Sequence, residues 1–208
     1  MPMASNIERQ QDRVITLLSQ RGMARLSELT ATGITAATVS RLERKGVVVR
    51  LGRGLYQLPD APLDANHSLA EAAKLAPKGV ICLVSALAYH NLTDRLPPRI
   101  WMAIGRKDWR PQIDQPQIRF VRFGPKVLTS GIEEHSIEGV PVRIYGAAKT
   151  VADLFRYRRS VGMDLAIEGL KETLRQRKAT PSDIARFAIE GGVWKAVQPC
   201  LETLTANG

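Results

Sequence analysis

The residues with the most pointed chemistry lie in "TAATVSRLERKGVVVRLGRGLYQL", residues 35–58, where Arg41, Arg44, Arg50 and Arg53 alternate with small side chains and glycines. A guanidinium presents a planar fork of donors that matches a phosphate, or the edge of a guanine, bidentately. Lys, Ser or Asn would serve a solvated surface equally well, so this density of arginine points to anion recognition. Thr35, Ala36, Ala37 and Ser40 precede or flank the first two arginines. Short side chains let a helix backbone approach a partner closely, while Arg41, Arg44 and Lys45 reach further.

A second set has the residue types of nucleophilic catalysis: Ser85, His90 and Asp94. All three fall on one expected helix and its exit, and the serine is not in a nucleophile elbow. Packing and capping account for them better. The histidines, His67, His90 and His135, are widely spaced and read as lacking partners at the i, i+4 spacing of metal ligands. Gly105-Arg106-Lys107 is too short for a phosphate loop and lacks the helix that would follow one. Glu168 and Lys171 sit on a helix at the wrong spacing for a nuclease. No catalytic residue, metal or cofactor is expected, and the chain does not read as an enzyme. A third set, Arg106, Lys107, Trp109 and Arg110, places a tryptophan among cations and is the expected contact loop of the second half, for a partner or for DNA.

Elements must position these groups. Ser5 with Glu8 has capping-box spacing, and Ile7, Val14 and Leu18, with Ile15 and Leu17 beside them, make an apolar stripe ending at Gly22. A short helix follows over about 26–32, then Gly33 and the apolar pin Ile34. Thr35 caps a third helix, 36–45, closed by Gly46. At about 100° per residue, Thr35, Val39 and Leu42 share one face, and Ala37, Ser40, Arg41 and Arg44 share the other, with Ala36 and Lys45 flanking. Strands over 47–51 and 55–58, joined by Gly52-Arg53-Gly54, complete a hairpin whose tip carries Arg50 and Arg53. Three helices and a hairpin are the order of a winged helix-turn-helix, in which the third helix enters the major groove and the wing lies on the flanking backbone.

The rest reads as a separate α+β domain. Prolines 59 and 62 mark a linker over 59–66 between a DNA-binding domain, 1–58, and an effector domain, 67–208. Helices are expected over 68–76 and 85–91, a strand over 99–104, and a mixed-face strand over 117–123 suited to a sheet edge. A hairpin around Gly139 follows, and then helices over 147–158, 163–177 and 182–206, the last broken at Gly191-Gly192. The fold class is therefore α+β, a winged helix followed by a larger mixed domain ending in helices.

Net charge agrees with the first reading. The chain carries +10, and residues 1–58 hold nine Lys/Arg against four Asp/Glu. A second block, Arg95–Lys126, has eight basic and two acidic residues. A polyanion is thus the first partner to consider. Two isolated cysteines suit a reducing compartment. No apolar run approaches a membrane span, and MPMASNIERQQDR has no signal-peptide core, so a cytoplasmic protein with no membrane partner is expected.

The segment "ITAATVSRLERKGVVVRLGRGLYQLP" resembles the N-terminal winged helix of the AbiEi family, antitoxins and transcriptional regulators of abortive-infection, type IV toxin–antitoxin systems. The likeness is carried by Val39, Arg41 and Leu42, by Lys45-Gly46, and by Arg50, Arg53, Gly54 and Tyr56. It continues through "SALAYHNLTDRLPPRIWMAI" and "EGVPVRIYGAAKTVADLFRYRR". The resemblance implies a repressor of its own operon that binds inverted repeats in double-stranded operator DNA. It also implies neutralisation of a nucleotidyltransferase-like toxin encoded alongside. The alternative is a protein-interaction module that neutralises a toxin or effector by direct binding, with DNA binding minor.

Overall fold

The computed structural model describes residues 2–206, with side chains from residue 8 onward. The chain divides into two compact units. One comprises residues up to Pro77 together with Pro111–Pro116 and Ser136–Val142; the other comprises Lys78–Arg110, Gln117–His135 and Arg143 onward.

In the first unit, α1 (Pro2–Arg21) places Val14 and Leu18 in the core. The capping box read at Ser5 and Glu8 involves a side chain outside the described residues. Gly22 ends the helix at φ +68°, where a Cβ would fall 1.9 Å from the carbonyl oxygen of Glu138. Next comes β1 (Met23–Arg25), a strand too short to leave a periodic signal. It pairs antiparallel with β3 (Leu55–Gln57), and β2 (Val49–Gly52) lies on the other side of β3. Helices α2 (Leu26–Ala31) and α3 (Ala36–Arg44) intervene, giving helix, strand, two helices and a hairpin. Leu29, Ile34, Val39, Leu42, Val48 and Tyr56 close the core over α1. The unit runs past the proline-marked segment to α4 (His67–Leu75), whose Lys74 bonds Glu28 of α2 at 2.7 Å.

The second unit is built on a mixed sheet. Its strands are β4 (Val80–Ile81), β5 (Ile100–Gly105), β6 (Ile118–Phe123), β7 (Ile132–Ile137) and β8 (Val140–Tyr145), in the order β6-β5-β4-β8-β7. β5 is parallel to β6 and antiparallel to β4, which is parallel to β8. β6 is an edge strand, which explains its mixed faces: Ile118 and Phe123 are buried while Arg119 and Arg122 are exposed. The tip of the β7–β8 hairpin, with Glu138 at φ +52° and Gly139 at φ +75°, is grouped with the first unit. There Glu138 accepts the Asp64 N–H at 2.6 Å and pairs with His67 at 2.8 Å.

Helices α5 (Leu83–Tyr89), α6 (Pro125–Thr129), α7 (Ala147–Arg156), α8 (Arg158–Val161), α9 (Met163–Arg175), α10 (Pro181–Glu190) and α11 (Trp194–Ala206) surround the sheet. The break expected at Gly191-Gly192 separates α10 from α11. Helix α7 is central: every residue from Ala147 to Phe155 is buried.

That burial includes a charge pair. Lys149 and Asp153, 3% and 2% exposed, bond one turn apart, and the ammonium lies 4.5 Å from the Tyr145 ring centroid and 5.0 Å from that of Phe123. Burial raises the Asp153 carboxyl from 3.8 to about 6, against the pull of Lys149. The folded state therefore holds this proton more tightly than the unfolded chain does. The group's contribution to stability is greatest at low pH and falls as pH rises from about 4 through about 6. Asp153→Ala, which strands the lysine in the core, is expected to cost about 3–5 kcal/mol in urea unfolding. The combined Lys149→Met, Asp153→Leu variant should recover most of that loss and flatten the pH 4–6 slope.

Candidate nucleic-acid interface

Helix α3 owes its orientation to both ends. Thr35 caps it, its hydroxyl accepting the Thr38 N–H at 3.2 Å. Thr38 is buried and donates to Gln10 Oε1 at 2.7 Å, and the Thr35 N–H reaches the same oxygen at 3.4 Å. One glutamine of α1 thus pins the first turn of α3. Val39 and Leu42, both fully buried, hold the remainder.

The opposite face is open. Thr35, Ala36, Ala37, Ser40, Arg44 and Lys45 are exposed. Arg44 Nε donates to the Ser40 carbonyl at 3.4 Å, which draws the side chain back along the helix. Arg41 is only half-buried rather than fully outward, and its Nη2 is covered without a hydrogen-bond partner among the described residues. A covered donor of this kind carries a desolvation penalty that an incoming acceptor would relieve.

On the wing, the register shifts between Arg50 and Gly52, so the extra residue bends the strand at its tip. Arg50 Nε donates to Gly52 O at 3.1 Å, and both Arg50 and Arg53 are exposed. The Leu26 N–H donates to Gly54 O at 2.7 Å, fastening the wing to the start of α2. This creates a recess of about 560 Å³ lined by Arg25, Leu26, Ser27, Arg50, Arg53, Gly54 and Tyr56. Arg25 and Ser27 of this lining carry no local signal in the sequence. Arg25 belongs to the unforeseen β1, and only its pairing with Leu55 brings it beside the wing.

In the second unit, Arg106, Lys107, Trp109 and Arg110 occupy one loop after β5, all four exposed. Ser85 and His90 have other engagements. Ser85 Oγ accepts the Trp101 N–H at 2.9 Å, and His90 Nε2 lies 2.8 Å from the Tyr145 carbonyl oxygen, with burial pushing the imidazole pKa down. Asp94 is exposed. Two histidines that looked remote in sequence meet: the His90 and His135 rings are 6.1 Å apart, and the Tyr89 ring packs edge-on against both. His67 does have an acid one turn on, Glu71 at 3.7 Å, which the spacing argument overlooked. Among the described residues no three His, Cys, Asp or Glu side chains converge as metal ligands, and no helix is long and apolar enough to cross a membrane.

Residues 12–59 match the model of a family described as transcriptional regulator, AbiEi antitoxin. That range ends just beyond the wing. No curated protein matches the chain. Among solved structures, the chain is similar to the RV2827C protein from Mycobacterium tuberculosis, with a TM-score of 0.61 and 15% identity over 94% of this chain and 77% of that one. At this identity the likeness is one of fold.

The Gln10–Thr38 contact and the Thr35 cap set the pitch of α3. Thr35→Ala should lower stability by about 1 kcal/mol, read from the thermal midpoint. Thr35→Ser, which keeps the accepting oxygen, should lose little.

Proposed function

We propose that the chain is a sequence-specific, cytoplasmic DNA-binding regulator that represses its own operon and serves as the antitoxin to a nucleotidyltransferase encoded with it. The observation that carries the regulator reading is the coincidence of three things on one segment. Residues 12–59 match a regulator and antitoxin family. They fold in the order of a winged helix. Their exposed helix face is short at its start and basic further along. The toxin and the autorepression come from the resemblance to the AbiEi family.

In this reading α3 enters the major groove. Ala36 and Ala37 permit close approach, and Arg44 and Arg41 reach base edges. The wing straddles the adjacent strand, and Arg50 and Arg53, joined by Arg25 and Ser27, take backbone phosphates. Phosphate contacts fix the register of the protein on the duplex, and base contacts select the sequence.

Footprinting on the region upstream of the gene tests the reading: protection of an inverted repeat is expected, and its absence at saturating protein would overturn it. Arg44→Ala should weaken operator binding by roughly 1–3 kcal/mol and relax preference at one base position, with random duplex little affected. The Arg50→Ala, Arg53→Ala variant should weaken all duplexes alike. It should flatten the plot of log K against log salt by roughly 0.9 per phosphate released. Growth of cells expressing the neighbouring toxin with and without this protein tests the antitoxin role.

A further inference from the structure

The loop after β5 is built to hold its shape. Arg122 Nη1 donates to the carbonyl oxygens of Gly105, Arg106 and Asp108 at 2.9, 2.7 and 3.0 Å. Asp108 Oδ2 accepts the Gly105 N–H at 2.8 Å. One guanidinium and one carboxylate therefore fix the turn from within, and the loop's own acid is occupied by its backbone. Arg106, Lys107 and Arg110 remain exposed, and Trp109 is held 77% exposed.

A loop free to relax would fold so large an apolar ring down onto the surface. Here the loop backbone is anchored and the indole stands outward. A protein partner docking on a tryptophan usually finds further apolar surface around it. None of the other exposed large apolar side chains, Val49, Leu63, Leu96, Met163, Ile167 or Ile189, lies on this loop, on β5 or on β6. The indole is instead surrounded in sequence by cations, and cations also lie over aromatic rings of β5 and β6. Arg119 sits 4.1 Å over Trp101, and Arg110 sits 5.7 Å over Phe120.

A lone exposed ring among cations matches the chemistry of an unpaired nucleobase and its phosphates, because bases stack on aromatic faces while the backbone is neutralised alongside. A base inside a duplex has both faces covered, so the ligand must be single-stranded or looped. We propose that the Gly105–Arg110 loop is a contact site for single-stranded nucleic acid, with Trp109 stacking on a base and Arg106, Lys107 and Arg110 on the adjoining phosphates. The loop belongs to the second unit, and the proposal does not depend on the regulator reading.

The test uses the full chain and a fluorescently labelled thymidylate dodecamer, followed by anisotropy at low salt and by tryptophan emission. Trp101 is buried and Trp194 half-buried, so quenching on addition of the oligomer reports Trp109. Saturable quenching is expected. Trp109→Ala should weaken oligomer binding roughly 5- to 100-fold, with Trp109→Phe intermediate, while affinity for a blunt duplex stays unchanged. Arg44→Ala, placed on the winged helix, should leave oligomer binding unchanged, which separates this site from the duplex-binding reading. Equal quenching by polyglutamate would assign the loop to an acidic protein segment and overturn the proposal. So would undiminished oligomer binding by Trp109→Ala with an unaltered unfolding midpoint.

Discussion

The packing of Val39 and Leu42 into the core shared with Val14 and Leu18 determines most of what the first unit presents to its surroundings. Successive side chains on a helix are separated by about 100°, so burying these two leaves little freedom in where Ser40 and Arg44 point. Gln10 removes the remaining freedom at the N-terminal turn by holding Thr38 and Thr35. The wing depends on the same core, because Val48 and Tyr56 are buried in it while Arg50 and Arg53 stay outside. The recess beside the wing is bounded by the same elements, with the Leu26 N–H donating to the Gly54 carbonyl oxygen.

The parts of this unit that could be read from sequence are those whose signals are local. Thr35 as a cap, Gly46 as a stop, the glycines around Arg53 and the spacing of Val39 and Leu42 each act within a few residues of where they stand. β1 and β4, three and two residues long, have no such signal, because a distant strand supplies their hydrogen bonds. The placement of Arg25 beside the wing is invisible in the sequence for that reason. The meeting of His90 with His135 and the seating of Lys74 on Glu28 likewise depend on tertiary placement. The Lys149–Asp153 spacing is that of an ordinary surface pair on a helix; only the surrounding sheet and helices reveal that both charges are in the core.

Counting charge along the sequence also overstated what is open to a ligand in the second basic block. Arg122 is committed to three carbonyls, and Arg95 pairs with Asp164 at 2.9 Å and Glu168 at 3.2 Å. These arginines shape the protein and are not open to a ligand. In the first unit the balance is different: among the described residues no carboxylate forms an ion pair with Arg25, Arg50 or Arg53 around the recess.

The edge position of β6 has a bearing on how the protein survives at high concentration. An edge strand exposes unpaired backbone groups that can recruit another chain into a growing sheet. Here the exposed residues along that edge are Arg119 and Arg122, the first spread over Trp101 and the second tied to the neighbouring loop, so neither swings away readily. Two copies approaching edge to edge would bring together molecules that each already carry +10. That like charge opposes the pairing of one such edge with another.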